Sequence, residues 1–589
     1  MGGYTDCAGN SDYDADADGQ DSDLHGGSDC DDTLVDVYAG APDDWYDGLD
    51  ADCAGNSNYD ADADSQDSDL HGGGDCDDAA PGTYAGAPDE WYDGLDADCA
   101  GNSDYDADAD GFGTIASGGD DCDDEAAAAY PGAVEACWDG VDNDCDGTMD
   151  CSWQGDHGMA AAGATLVGEA DGDEAGDNVA SAGDTNDDGY ADILVGACRH
   201  DDTDVGTGVT YLVLGPVGGQ VELADAGSRL LGDIANSCAS YLADGVAGDL
   251  DGDGTDDVVV GAPGRDPAGA NYVLYGPLPT GDVGLASADV VVLGEPSTGA
   301  VANVQSVGDL DGDGWRDLVF GDLADDSVAT DSGAAYVVYG PLPGDMDLST
   351  ADAKLTGSHG GDDAGEAVSA GGDTDGDGLD DLLVGVPWDT WPPHPGTAYL
   401  HLGPVSGVVR VAAADASFAG PGPGGSSGQQ AVILGDLDAD GYDDMLINCS
   451  TSNTEGGTCM VRGPASGPSS LGDADAQLEH PGPAEGVTGL SGPGDIDQDG
   501  FDDILVGSSQ AEDAGAAYLV LGPVSGTVSL ADADGTWTGE TRYDNVGGAV
   551  AGAGDVDADG YPDWLVGATG YDVGTDEWVG AAYLIFGGP

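Results

Sequence analysis

Residues 248–263 read Gly-Asp-Leu-Asp-Gly-Asp-Gly-Thr-Asp-Asp-Val-Val-Val-Gly-Ala-Pro. Carboxylates stand at Asp249, Asp251, Asp253 and Asp257, which are positions 1, 3, 5 and 9 of a nine-residue loop. Gly254 at position 6 permits a sharp turn. Oxygen donors alternating along such a loop converge on one cation, with a backbone carbonyl at position 7 adding another. The apolar run that follows reads as a strand buried on both faces.

The same loop recurs seven times. First positions are Asp184, Asp249, Asp309, Asp373, Asp436, Asp495 and Asp555, separated by 59 to 65 residues. Third positions are Asn186, Asp251, Asp311, Asp375, Asp438, Asp497 and Asp557; fifth positions are Asp188, Asp253, Asp313, Asp377, Asp440, Asp499 and Asp559. Ninth positions are Asp192, Asp257, Asp317, Asp381, Asp444, Asp503 and Asp563. Tyr190, Thr255, Trp315, Leu379, Tyr442, Phe501 and Tyr561 stand at position 7, where the carbonyl is wanted. Each unit also carries an L-x-G-E-like segment, an I-L-V-G-A strand and a Y-L-V-L-G-P strand. Four short strands per unit, punctuated by Gly and Pro, predict an all-β fold with a seven-bladed β-propeller over 164–589. Ala164-Thr-Leu-Val167 matches a blade's last strand and the Ala581–Phe586 end a blade's third. Pairing Thr165–Val167 with Tyr583–Phe586 would close the ring and hide two sheet edges.

Composition sets the chemistry. Asp and Glu total 119 against 8 Lys and Arg, a formal net charge of -111. Such a chain repels nucleic acid and anionic membranes. Acids at fixed spacing point to ligands rather than a disordered tail, and divalent cations would relieve their repulsion. Calcium suits an all-oxygen donor set better than magnesium or zinc, so about seven calcium ions are expected in the propeller.

Residues 1–151 hold a second repeat, of 46 residues, marked by starts at Asp6, Asp52 and Asp98. It has almost no aliphatic residues, so a small, loop-rich region stapled by metal ions and disulfides is expected, with a partly disordered acidic stalk as the alternative. Asp142, Asp144, Asp146 and Asp150 repeat the 1, 3, 5, 9 spacing, whereas Ala54 and Ala100 stand at position 5 in the earlier copies. Residues 152–163 read as a linker.

Nine of the thirteen cysteines precede residue 152, which fits oxidised pairs outside the cytoplasm. Cys198 with Cys238, and Cys449 with Cys459, are candidate pairs. No apolar run of 18 residues exists, and no leader is visible. Because the chain opens inside a repeat copy, a truncated N-terminus with a signal peptide before it is expected.

G-D-x-D-x-D-G-x-x-D-L/I-L-V-G-A-P is similar to the FG-GAP repeat of integrin α chains and related bacterial repeat proteins. Gly261-Ala262-Pro263 matches its GAP element in full, with degenerate copies elsewhere. The resemblance implies that the acidic loop joins a blade's first and second strands, that its calcium is structural, and that ligands bind on the opposite face. That face would carry Arg199, Arg265, Trp388, Trp391, His394, Tyr571 and Trp578, or else these are ordinary packing and solvated side chains. The N-terminal copies resemble the MopE-type metal-binding repeat, most clearly from Asp120 to Gly147. That name suggests copper, yet His25 and His71 are the only histidines before His157 and the donors are carboxylates, so calcium is expected there too.

No H-E-x-x-H or P-loop is present, and Gly420–Gly425 matches G-x-G-x-x-G only in a Pro-broken stretch, so no enzyme is expected. The leading expectation is an extracellular, secreted or cell-surface adhesion or scaffolding module with a protein or glycan ligand. A polysaccharide-active lyase or glycosidase, or a purely structural envelope protein, are the alternatives.

Overall fold

The computed structural model describes residues 155–588, apart from loop segments at 202–204, 243–247, 266–267, 296–302, 307, 390–394, 423–424, 451–456, 483–485, 512–513 and 574–577; before residue 155 it describes most of 13–87 and positions 97, 99, 112, 114, 122 and 145. The chain divides into two compact units, Met1–Cys151 and Ser152–Pro589.

In the first unit the described residues form turns, isolated bridges and two 3-10 turns, Asp23–His25 and Asp69–His71. Cys30–Cys53, Cys76–Cys99 and Cys122–Cys145 are disulfides, each spanning 23 residues. Buried apolar side chains among these residues are few and small, Val37, Ala41, Ala51, Ala87 and Ala97. Covalent staples therefore stand where a core would otherwise be.

The second unit is a ring of seven sheets. In the first complete blade, β3 (Val179–Gly183), β4 (Asp192–Ala197), β5 (Val209–Val213) and β7 (Ser228–Leu231) pair antiparallel in that order. The first three are buried throughout, while β7 alternates buried with half-buried residues. β4 and β5 carry the β-branched and aliphatic runs that suit packing on both faces, whereas β3, Val-Ala-Ser-Ala-Gly, is buried through small residues. First strands of neighbouring blades pack on one another, and Ser181, Ser369, Ser491 and glycines from these strands line the central channel.

Each sheet has five strands rather than four. The fifth is short, mostly exposed and parallel to the fourth, and it is donated by the following blade. Thus Gly281–Gly284, which leaves the third strand of the second blade, runs beside β7 of the first. A 3-10 turn follows each donated strand and buries its first side chain: Leu223, Leu285, Leu348, Val411, Leu471, Leu530 and Met159. Sequence patterning misses the fifth strand because it carries Gly and polar residues with a single half-buried position, as in β6 (Gly219–Glu222), Gly-Gln-Val-Glu.

Met159 shows how the ring closes. Residues read as linker contain β1 (Gly155–Gly158), which pairs in parallel with Gly535–Thr538 of the sixth blade. β2 (Ala164–Val167) is the fourth strand of the seventh blade and pairs antiparallel with Ala581–Leu584. Thr165 faces Tyr583 and Val167 faces Ala581, so Phe586 lies beyond the paired stretch. Trp537 and Trp564, both buried, meet edge to face at 5.3 Å beside this closure, and His157 stacks on Trp537.

Candidate metal loops and opposite face

The acidic loop of the first blade connects β3 to β4, and the other six occupy the same place in their blades. In the second blade the turn is held by the carboxylate at position 1. Asp249 Oδ1 accepts from the Gly252 and Asp253 N–H groups at 2.6 and 3.1 Å, and Oδ2 accepts from Gly254 N–H at 2.9 Å. Gly254 has φ +99°, the left-handed conformation that its position requires. Asp309 and Asp373 accept from the same three relative positions.

The carboxylate at position 9 holds the loop to the rest of its blade. Asp257 Oδ2 accepts from Leu250 N–H at 2.7 Å and Oδ1 from Gly276 N–H, just past the third strand, at 2.8 Å. All seven ninth-position aspartates repeat this bridge, to Gly215, Gly276, Gly340, Gly403, Gly463, Gly522 and Gly587. Burial pushes their carboxyls up, hydrogen bonds oppose it, and neighbouring carboxylates add to it. Asp257, Asp317 and Asp381 reach about 6, Asp444 and Asp503 about 7, and Asp563 about 8.

Positions 1, 3 and 9 converge. Oxygens of Asp249, Asp251 and Asp257 lie within 4.8 Å of one another, as do those of Asp309, Asp311 and Asp317, and of Asp373, Asp375 and Asp381. Asn186 Oδ1, Asp438 Oδ1 and Asp555 Oδ1 are buried at positions 3, 3 and 1 with no hydrogen-bond partner. Orphaned acceptors inside a negative cluster fit a hard cation. Position 5 stands outside the three converging groups: Asp253 is exposed and its Oδ1 accepts from Thr255 N–H at 2.9 Å, a hydrogen bond that Asp313 and Asp377 repeat.

Two further positions escaped sequence reading. Position 8 ties neighbouring blades together: Asp256, Asp380 and Asp443 accept from the N–H of Asp184, Asp309 and Asp373 in the preceding blade. Side chains at position 7 cover the preceding loop, and a Cβ on Gly252, Gly312 or Gly376 would come within 2.8 Å of Trp315, Leu379 or Tyr442. Large residues at position 7 facing glycine at position 4 one blade earlier are the signal that could have revealed this.

Loops joining second to third strands leave each sheet at the end opposite the acidic loops, because antiparallel strands alternate direction. Arg199 on this face pairs with Glu174 at 2.6 Å, and Arg265 lies over the Tyr272 ring, 3.9 Å from Asp233. Tyr571 packs edge to face on Tyr583. Trp388 and Trp578 are 47% and 44% exposed. Trp391 and His394 lie outside the described residues, as do Asp142, Asp144, Asp146 and Asp150. Cys198–Cys238 and Cys449–Cys459 are disulfides.

Known proteins carry the same patterns. Residues 243–274, 364–401 and 491–520 match the FG-GAP repeat, and residues 29–58, 75–105 and 121–150 match the Cu-binding MopE metal-binding motif. Integrin alpha pat-2 of Caenorhabditis elegans is 27% identical over 222 residues, covering 34% of this chain and 17% of that protein. Integrin alpha-V of Gallus gallus is 39% identical over 83 residues, 13% of this chain and 8% of its own length. Integrin alpha-PS5 of Drosophila melanogaster is 32% identical over 154 residues, 24% and 14% of the two chains. The chain therefore spans less than a fifth of each of these relatives.

Proposed function

As a seven-bladed FG-GAP propeller related to integrin α chains and preceded by MopE-type repeats, this chain is, we propose, a calcium-dependent extracellular ligand-binding module. The observation that carries the reading is the convergence of carboxylates at positions 1, 3 and 9, with orphaned buried oxygens among the loops. Those residues would hold calcium as a structural ion, which supplies charge neutralisation and no chemistry. The N-terminal repeats would bind further calcium.

Disulfides in both units fit an oxidising compartment, and no helix among the described residues is long and apolar enough to cross a membrane. The loops opposite the metal sites, with exposed Trp388 and Trp578, offer aromatic surface to a protein or glycan. Scaffolding in an envelope or matrix would use the same ions without that surface.

Calorimetric titration of EDTA-treated protein with calcium, followed by glycan and protein arrays with and without calcium, tests the reading. About seven ions in the propeller, with ligand binding that requires them, is the expected result. Absence of calcium uptake would overturn it. Calcium uptake without any ligand would leave the scaffold, and release of reducing ends from polysaccharides would indicate an enzyme instead.

A further inference from the structure

We propose that His359, Asp362 and Asp389 form a separate site for a transition-metal dication, zinc by preference, on the face opposite the acidic loops. His359 and Asp362 lie between the fourth strand Ala353–Thr356 and the first strand Val368–Ala370; Asp389 follows the second strand Leu382–Val386. One ligand atom from each lies within 4.8 Å of the other two.

The comparison among blades shows what is unusual here. In the first blade, Asp173 stands five residues past Gly168, and His200 eight past Asp192. Those two form an ion pair, Nδ1 to Oδ2, at 2.9 Å. In the fourth blade the same offsets from Gly357 and Asp381 give Asp362 and Asp389, so a second carboxylate replaces the imidazole. In the third, the residue eight past Asp317 is Asp325, which Lys354 neutralises at 2.7 Å. Asp362 and Asp389 are 1% and 8% exposed, and neither pairs with Lys or Arg among the described residues. Two buried carboxylates sharing one pocket, with only the exposed His359 imidazole beside them, are costly.

The side chains are set for a ligand role. Asp362 Oδ2 accepts from the Ser358 and His359 N–H groups at 3.0 and 2.6 Å, while the buried Oδ1 has no hydrogen-bond partner. Asp389 Oδ2 accepts from Tyr399 O–H at 3.0 Å, which fixes its carboxylate from behind. His359 Nδ1 is 3.6 Å from Asp362 Oδ2, and its ring is open to solvent. One imidazole and two carboxylates suit zinc, with a fourth position left for water or an acidic ligand group. Calcium, which takes six to eight oxygens, fits this donor set poorly.

The test uses the full chain in saturating calcium, so that the acidic loops are occupied by what they prefer. Zinc titrated calorimetrically should bind at one site beyond those blocked by calcium. His359→Gln, at an exposed residue, should weaken that site by more than about tenfold while calcium stoichiometry and melting temperature stay at the parent's values. Cobalt should give a visible absorption band in the parent that His359→Gln and Asp389→Asn both lose. Zinc binding unchanged by His359→Gln, or no zinc binding by the calcium-saturated parent, would overturn the proposal. Either result can occur whether or not the acidic loops need calcium, so it is separable from the reading above.

Discussion

Asp380 of the fourth blade accepts a hydrogen bond at 2.6 Å from the backbone N–H of Asp309, the first position of the third blade's acidic loop. Its other oxygen accepts from Gly372 N–H in its own blade at 3.0 Å. One carboxylate therefore clamps two blades at the base of an acidic loop.

Asp380→Ala leaves both N–H groups without that acceptor and should cost about 1–3 kcal/mol. Guanidinium unfolding in saturating calcium would measure it. Because Asp380 lies outside the converging 1, 3, 9 set, calcium stoichiometry should not change.

Calcium removal should make stability depend on pH. Ninth-position carboxyls have folded pKa values raised to about 6 at Asp257 and about 8 at Asp563. A raised value means protonation favours the folded state, so this stability is fully present below about 4 and is lost as pH rises from there to the folded values of about 6 to 8. The melting temperature of the chelator-treated protein should therefore fall between pH 5 and pH 8.5, while the calcium-loaded protein changes little over the same range. Equal melting temperatures for the stripped protein at both pH values would contradict the assignment.

His200 gives the same sign by a different route. Burial lowers its pKa, but the hydrogen bond and charge of Asp173, with Glu169, outweigh burial and raise it. The pair's contribution is complete below about 6.5 and disappears as pH rises through the raised value. His200→Gln should cost about 2 kcal/mol at pH 5.5 and clearly less at pH 9, as read by thermal or denaturant unfolding at the two pH values.

Thr165→Pro tests the closure. Thr165 sits between Tyr583 on one side and Gln220 on the other, so proline removes a ladder hydrogen bond from an inner position. A loss of about 1–3 kcal/mol from the unmade hydrogen bond is expected, with the fixed φ of proline adding to it. Proline at Gln220, in the mostly exposed fifth strand, should cost less.

Much of the fold could be read from the chain because it is local. Seven nine-residue loops in register, followed by runs such as Asp192-Ile-Leu-Val195, identify the second strand of every blade. The match of Ala164–Val167 to a fourth strand and of the final residues to a third predicted the closure. Position 5 is read from spacing alone; in the structure Asp253 Oδ1 accepts from Thr255 N–H. Spacing says which side chains can reach a point, but competition from a nearby backbone donor decides whether they do.

By itself the sequence determined the blade count, the loop and strand alternation within each blade, and the acidic loops, since each depends on contacts among residues close along the chain. Only the tertiary structure decided the donated fifth strands, the clamp of Asp380 on Asp309, and the meeting of His359 and Asp362 with Asp389. These join residues tens of positions apart, and their distances are set by how neighbouring strands and blades pack, which no local periodicity records.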